Sequence, residues 1–370
     1  FITYSRGLET TRDSWVYGFE RHSLEEQVRR LAETYNSEVD RWRRSGRPDN
    51  VDDFVISDER QIKWSSRLKE TLRREQYAEF VAHKLRVALY RPFTKQLVFF
   101  DHVLNQRQGI LPRIFPTPES EQENRIIVTS DLGYRASAPT ALVSDRIVDL
   151  HLCAAIDAHQ CFPYYVYDED GTNRRENITD WALRGFRERY ADEAITKWDI
   201  FHYVYGLLHH PGYRTRYADN LKRELPRIPY APDFHAFAQA GRALAALHLG
   251  YEQAPEYPLE RQVKEGATPA QLYRVEKMRL NREKTALRVN DWLTLEGLPA
   301  EAFEYRLGNR SAPEWVIDQY QITTDARSGI TSDPNRADDP AYIVRLVGQV
   351  VRVSMETVQI VRALPDGFGG

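Results

Sequence analysis

Three short apolar runs in the first half of the chain constrain its fold more than any other feature. They cover residues 97–100, 126–128 and 163–167, and polar loops separate them. Short runs rich in β-branched and aromatic residues are typical of buried strands, because a helix needs a longer pattern. Residues 90–170 are therefore predicted to be rich in β-structure.

Helix signals dominate the second half. Thr196 with Asp199 and Ser311 with Glu314 match capping boxes, and Thr179 can cap a further helix. Apolar residues recur with helical spacing between positions 343 and 351. Residues 175–370 are therefore predicted to be mainly helical. A β-rich segment followed by a mostly helical region predicts an α+β fold.

The first fifty residues are predicted to form a separate N-terminal segment. Ser23 and Glu26 fit a capping box at the start of an amphipathic helix, and residues 45–50 are typical of a linker. This boundary divides the chain into residues 1–50 and 51–370. A further helix is predicted over residues 62–90, where Pro92 would end it.

The composition predicts a globular protein of the reducing cytoplasm. The chain has only two cysteines, no apolar run long enough to span a membrane, and no signal-peptide pattern at its start. A net charge of −3 does not by itself indicate nucleic-acid binding. The cations are unevenly spread, however. Residues 84–113 include six basic residues and one acidic residue. Residues 274–288 include six basic residues and two acidic residues.

Four residues have side chains that zinc accepts. His151, Cys153, His159 and Cys161 form an H-x-C-x5-H-x-C pattern, in which each pair would share one face of a strand. The surrounding residues are apolar, and cysteine often behaves as a small buried hydrophobic residue. The pattern therefore leaves both a zinc site and a core segment open, and no metal ligand is assigned.

No motif in the chain predicts catalysis. There is no Gly-x4-Gly-Lys-Ser/Thr loop for phosphates, no dinucleotide-binding glycine pattern and no Gly-x-Ser-x-Gly elbow. Asp339 and Pro340 only partly match the loop of an amino-group methyltransferase, which has a second proline, and a helix cap is a sufficient explanation for them. The glycine-rich tail at positions 367–370 is expected to be a flexible end. No cofactor is predicted for this span.

DNA contact is the chemistry that the polar loops favour. Arg and Lys suit phosphates and guanine edges, while Asn and Gln suit adenine edges. Such loops can also be merely solvated. The candidate DNA-binding residues are Arg91, Lys95, Asn105, Arg107, Gln108, Arg113, Arg174, Arg175, Asn309, Arg310, Arg327 and Arg336.

Several longer phrases resemble the C-terminal specificity region of Type ISP restriction–modification enzymes, which are single-chain and ATP-dependent. The phrases cover residues 90–93, 99–101, 162–167, 174–181, 197–214, 217–229, 290–295, 314–320 and 327–330. The resemblance therefore spans nearly the whole chain.

The resemblance implies a module that reads a short asymmetric site in double-stranded DNA. The resemblance also implies that a full-length protein would carry three further domains, which are a nuclease, a helicase-like ATPase and an adenine-N6 methyltransferase. S-adenosylmethionine, ATP and Mg would then belong to those domains, and residues 2–19 would lie at the seam with the methyltransferase. The alternative is a scaffold domain that docks the methyltransferase to the motor without reading bases.

Overall fold

The structure is a computed structural model that describes residues 1–133, 135, 139–154 and 156–366, so the tail at 367–370 lies outside the described residues. Its α-helices are Asp13–Val16 (α1), Arg21–Arg44 (α2), Val51–Phe54 (α3), Ser66–Arg73 (α4), Leu111–Ile114 (α5), Pro118–Glu123 (α6), Asp180–Tyr190 (α7), Lys197–His209 (α8), Pro211–Arg216 (α9), Ala218–Arg223 (α10), Phe234–Leu249 (α11), Pro269–Tyr273 (α12), Ala312–Gln319 (α13) and Tyr342–Arg362 (α14).

The strands are mostly short. They are Ser5–Arg6 (β1), Tyr17–Gly18 (β2), Leu85–Arg91 (β3), Thr94–Phe99 (β4), Ile126–Ser130 (β5), Ala141–Ser144 (β6), Ile147–Val148 (β7), His159–Pro163 (β8), Tyr165–Val166 (β9), Arg175–Glu176 (β10), Glu260–Val263 (β11), Arg279–Leu280 (β12), Ala286–Arg288 (β13), Leu293–Glu296 (β14), Arg306–Leu307 (β15), Arg310–Ser311 (β16), Thr323–Thr324 (β17) and Thr331–Ser332 (β18). The predicted α+β fold class is confirmed.

Three four-stranded sheets organise these strands, in the orders β1-β8-β5-β6, β2-β4-β3-β7 and β11-β14-β13-β12. The third sheet lies within the half of the chain that was predicted to be mainly helical. The N-terminal segment contributes an edge strand to each of the first two sheets. The proposed seam at residues 2–19 stays a prediction.

The first sheet separates two hydrophobic cores. On β5, Ile126 and Val128 face one core while Ile127 faces the other. On β6, Leu142 belongs to the first core, and Val143 belongs to the second. Because successive side chains of a strand point to opposite faces, a sheet buried on both sides needs apolar residues at every position. This requirement explains the continuous apolar runs of the sequence.

The predicted helix caps are largely confirmed. Thr179, Thr196 and Ser311 each accept a backbone N–H, and the last two complete capping boxes. The helix predicted from Ser23 starts two residues earlier, because the Glu20 carboxylate accepts the first N–H groups. The cap predicted at residues 339–340 is wrong, since α14 begins at Tyr342 without a side-chain cap.

The helix predicted over residues 62–90 is also wrong in its second part. Helix α4 ends at Arg73, and the chain then forms β3, which pairs with β4 along almost its whole length. The pairing partner lies on the far side of the turn at Pro92, so the local pattern did not indicate it. No helix in the described parts of the chain is long and apolar enough to cross a membrane.

Helices α8 and α11 approach closely through a pair of glycines. A Cβ atom on Gly241 would collide with the carbonyl oxygen of His202 and would lie 2.8 Å from the nitrogen of Gly206. A Cβ atom on Gly206 would in turn collide with the carbonyl oxygen of Phe237. Both positions therefore require glycine because two helix backbones are in contact.

A chain of hydrogen bonds crosses the same contact. The Tyr205 hydroxyl accepts from the Val143 N–H at 3.1 Å and lies 2.6 Å from Nδ1 of His248. Nε2 of His248 lies 2.8 Å from the Thr357 hydroxyl on α14, and Nδ1 of His209 donates to the Tyr205 carbonyl. Burial lowers the pKa of His209 to about 3 and the pKa of His248 well below its usual range.

We predict that Gly241→Ala lowers the free energy of unfolding by about 1–3 kcal/mol, because α8 and α11 must separate to accommodate the methyl group. Urea denaturation followed by circular dichroism measures the change. The control is Ala243→Ser on the exposed side of α11, where propensity alone costs about 0.5 kcal/mol. Equal losses in the two variants would contradict the glycine contact.

We also predict that the protein loses stability as the pH falls below about 6.5. The unfolded histidines take up protons in that range, whereas folded His209 stays neutral until about pH 3. In that range, each such histidine lowers the free energy of unfolding by about 1.4 kcal/mol for each unit by which the pH falls. His209→Asn keeps an amide nitrogen at the position of Nδ1. Its free energy of unfolding should fall less steeply between pH 6 and 4, and parallel pH slopes would refute the assignment.

Candidate nucleic-acid interface

Two of the candidate DNA-binding residues are held by ion pairs inside the protein. The Arg91 guanidinium lies 2.6 Å from the Asp149 carboxylate and stacks over the Tyr90 ring. Its side chain is only 13% exposed. Burial raises the pKa of Asp149 to about 6, although Arg91 acts in the opposite direction. On β4, Lys95 pairs with Glu252 at 2.6 Å, so both cations already have a partner.

A third candidate builds the loop that follows β4. The Asn105 side chain is buried, donates to the Phe99 carbonyl, and accepts from the Asp101 N–H. The Asp101 carboxylate accepts from the backbone N–H groups of Val103 and Leu104, which tightens the turn. Asn105 therefore shapes the loop, and its side chain has almost no exposed surface.

The next residues of this loop reach solvent. Arg107 is exposed, and its backbone exchanges two hydrogen bonds with Glu9 at 2.9 and 3.0 Å. Gly109 has a φ of +56°, and a Cβ atom there would lie 2.6 Å from the Ser5 hydroxyl oxygen. The N-terminal segment thus fixes the position of the loop. No carboxylate of the described residues lies within 4 Å of the Arg107 guanidinium.

Arg107 borders a shallow polar cavity of about 430 Å³. The lining residues are Ser66, Arg67, Glu70, His102, Asn105, Gln106, Arg107, Gln108 and Gly109. The Gln106 amide oxygen accepts from the Arg67 N–H in the first turn of α4, and Arg67 pairs with Glu70 at 3.3 Å. The cavity therefore offers the Arg107 guanidinium beside the half-buried amides of Gln106 and Gln108, which is chemistry suited to phosphates and base edges.

A second group of candidates lies around β9 and β10. The Arg113 side chain donates to the Tyr167 carbonyl at 3.4 Å. Arg174 pairs with Glu123 at 2.5 Å, and Arg175 pairs with Asp168 at 2.7 Å. These three cations lie close to one another, but carboxylates partly neutralise Arg174 and Arg175.

The remaining candidates lie on separate turns. Asn309 and Arg310 belong to the tight turn between β15 and β16, where Gly308 has a φ of +65°. Arg310 lies 3.5 Å from Asp318 and Arg327 lies 3.6 Å from Glu59. The guanidinium of Arg336 stacks over the Tyr342 ring at 3.4 Å. All four residues are exposed, and their roles in DNA binding stay a prediction.

A larger cleft of about 870 Å³ lies between the segment before α2 and the loop after α13. Its charged lining is dominated by carboxylates, which are Glu9, Asp13, Glu20, Glu59, Asp149, Asp318, Asp325 and Asp333. Of its cations, Arg12 is buried and donates to the Lys63 carbonyl and the Ser65 hydroxyl. Arginines pair with four of these carboxylates, Asp149, Asp318, Glu59 and Asp333, and the remaining negative charge makes the cleft less suited to a DNA backbone.

Of the four zinc-type residues, Cys153, His159 and Cys161 are buried, and His151 is half-buried. Burial raises the pKa of the Cys153 thiol to about 12 and lowers the pKa of His159 to about 4. Nδ1 of His159 lies 3.2 Å from the Leu150 carbonyl oxygen. Zinc binds thiolates, whose formation such burial opposes. In the described ranges, no group of three His, Cys, Asp or Glu residues could hold a metal ion.

The sequence interpretation did not include the hairpin of β12 and β13 among the sites. Its exposed cations lie within the basic run at 274–288, which was the available signal. The run alone does not distinguish a solvated helix face from one side of a sheet. Only the pairing of β12 with β13 shows that these cations lie on a sheet.

The family of this chain follows from comparison with known proteins. Residues 1–346 match the Type ISP C-terminal specificity domain, and the chain belongs to this family. It is similar to part of the Type ISP restriction–modification enzyme LlaGI, whose nuclease-deletion mutant was solved with a DNA substrate mimic. The identity is 34% over 99% of this chain and 33% of that one, with a TM-score of 0.87.

Two further solved structures are similar over 99% of the chain. The ATP-dependent Type ISP enzyme LlaBIII bound to DNA is 28% identical, with a TM-score of 0.86 over 23% of its chain. A DrdV–DNA complex is 34% identical, with a TM-score of 0.84 over 36% of its chain. The chain thus spans between about a quarter and a third of these proteins. No curated protein sequence matches it.

We predict that Arg91→Met destabilises the fold by about 3–5 kcal/mol, because it leaves the Asp149 carboxylate buried without its cation. Arg107→Met removes an exposed cation that lacks an ion pair, and we expect it to change stability by less than about 0.5 kcal/mol. Urea denaturation of both variants tests the distinction. Equal effects would mean that the two arginines do not differ in structural role.

Proposed function

We propose that this chain is the target-recognition module of a Type ISP restriction–modification enzyme and reads a short site in double-stranded DNA. The observation that carries the proposal is the match of 99% of the chain to LlaGI, LlaBIII and DrdV, each solved with DNA or a DNA mimic. Similarity of fold at 28–34% identity supports a shared role for the matching region.

The Arg107 loop supports base reading. Arg107 and Gln108 lie on a loop that the N-terminal segment and α4 hold rigidly, and neither side chain is buried. Because the loop backbone is already fixed, a guanidinium and an amide on it can form bidentate bonds with guanine and adenine edges at the cost of ordering only their side chains. Phosphate contacts from other exposed arginines would then orient the duplex.

By this proposal, catalysis belongs to other domains of a full-length protein. The module would direct adenine-N6 methylation and cleavage by binding the site, and an adjoining methyltransferase would flip the adenine. S-adenosylmethionine, ATP and Mg would be bound by those domains.

Exposed apolar residues support contact with such a partner domain. Trp181 is 76% exposed and Ile2 is 67% exposed. The Ile2 N–H donates to the Asn177 carbonyl, so both residues lie at the start of α7. Large apolar side chains exposed together are typical of an interaction site. This contact accompanies DNA recognition and does not replace it.

We predict that titration of the chain against random duplexes, with sequencing of the bound fraction, enriches one asymmetric motif. Affinity should fall as the salt concentration rises from about 50 to about 200 mM, because contacts with phosphates release counterions from the DNA. Binding without enrichment would indicate a phosphate clamp only. Absence of binding, also after the methyltransferase portion is supplied, would favour the scaffold alternative.

Arg107→Ala tests the loop in the same assay. We expect about a tenfold or greater loss of affinity for the enriched motif and weaker discrimination at one position, since a bidentate base contact is worth about 1–3 kcal/mol. Arg227→Ala is the matched control, because Arg227 is exposed but paired with Glu224. If both variants bind like the wild type, Arg107 does not read the site.

A further inference from the structure

The hairpin formed by β12 and β13 concentrates positive charge in a chain whose net charge is −3. Residues 277–288, called the basic hairpin below, contain Lys277, Arg279, Arg282, Lys284 and Arg288 against one acidic residue, Glu283. All of these cations are exposed except Lys284, which is half-buried and pairs with Glu314. The basic hairpin therefore presents a charge opposite to that of the molecule as a whole.

The sheet β11-β14-β13-β12 has two different faces. Leu280, Leu287 and Leu295 lie in one row across paired strands and point toward the core. Side chains alternate between the faces of a strand, so the neighbouring row points the other way. That outer row comprises Arg279, Arg288, Thr294 and Gln262, which are directly opposite one another in the strand register. None of these four is buried.

Two arginines therefore face each other across adjacent strands. Like charges directly opposite in an antiparallel pair are destabilising, because their Cβ atoms lie only about 4.5–5.5 Å apart. The Arg288 guanidinium donates to the Asp291 carboxylate and to the Asn290 carbonyl, at 3.3 Å for the latter. Among the described residues, no carboxylate lies within 4 Å of the charged groups of Arg279, Arg282 or Lys277.

The cations of Arg279, Arg282 and Lys277 differ in this respect from exposed arginines that have a carboxylate partner. Arg242 pairs with Asp199, Arg261 with Glu256, and Arg362 with Glu301 and Glu304. An arrangement that is unfavourable in the isolated chain becomes favourable when an anion lies between the two guanidinium groups. The planar guanidinium matches the geometry of phosphate oxygens particularly well.

We infer that the basic hairpin contacts the backbone of duplex DNA, with Arg279 and Arg288 flanking one phosphate group. The inference rests on the proposed function and adds a second surface to the Arg107 loop. Strand β12 is the edge strand of its sheet, so the hairpin lies at the border of the sheet, where a duplex can approach it. Arg282 in the turn and Lys277 before β12 extend the same positive surface.

Arg279→Glu is the test, in anisotropy titrations of the full chain with a random-sequence duplex at several salt concentrations. We expect a loss of affinity of at least about tenfold and a salt slope smaller by about one, since a phosphate contact is lost. The loss should be equal for all duplex sequences. The thermal midpoint should be unchanged or higher, because a glutamate opposite Arg288 replaces repulsion by attraction.

Arg227→Glu is the matched control. Arg227 is 80% exposed and paired with Glu224, and the substitution changes the net charge by the same amount. An equal loss of affinity in the control would overturn the inference, because the effect would then come from net charge alone. A lower thermal midpoint for Arg279→Glu with unchanged affinity would also overturn it and assign Arg279 a structural role.

The two proposals fail separately. If the wild-type chain binds no duplex, the proposed function fails first. If it binds duplexes and enriches a motif while Arg279→Glu binds as tightly, only the basic hairpin is excluded. If Arg279→Glu keeps its affinity for DNA but loses association with the methyltransferase portion, the surface is a protein contact, which again contradicts the inference.

Discussion

The contact between α8 and α11 is the interaction on which the rest of the structure depends. Gly206 and Gly241 bring the two backbones together, and Tyr205 then reaches β6, α11 and, through His248, α14. These polar groups are buried, so each of them must have a hydrogen-bond partner. Their network specifies one arrangement of helices, whereas apolar packing alone tolerates several.

This contact lies in the second core, on one side of the first sheet, and the first core lies on the other side. The sheet carries β1 from the N-terminal segment, and that segment also holds the Arg107 loop through Glu9. A rigid core thus determines where a surface loop lies, although the loop itself contributes little to stability. This division between scaffold and loops is typical of recognition domains.

Electrostatics sort the surface into distinct regions. The large cleft is lined mainly by carboxylates, the Arg107 loop carries one guanidinium without a carboxylate partner among the described residues, and the basic hairpin carries two, on Arg279 and Arg282. A net charge near zero therefore conceals surfaces of opposite sign. Proteins that bind nucleic acids need only a local basic surface, because the interaction with phosphates is screened beyond about 10 Å at ordinary salt.

The phrases that resemble Type ISP enzymes lie mainly in the scaffold. Phe201, Val204 and Leu208 on α8 are buried, Trp198 is half-buried, and Tyr203 and Tyr205 are buried beside them. The site was less predictable. Arg91 and Asn105 have the right chemistry for DNA but are used inside the protein, whereas Arg279 was visible only as one member of a basic run.

By itself, the sequence determined the α+β class, most helix caps and the family. Caps depend on residues three positions apart, and the family depends on long phrases, so both are readable along the chain. Only the tertiary structure decided which cations are free. Arg91 meets Asp149 across 58 residues and Lys95 meets Glu252 across 157, while Arg279 faces another arginine. Partners so distant in sequence are set by the packing of whole elements, which no local pattern contains.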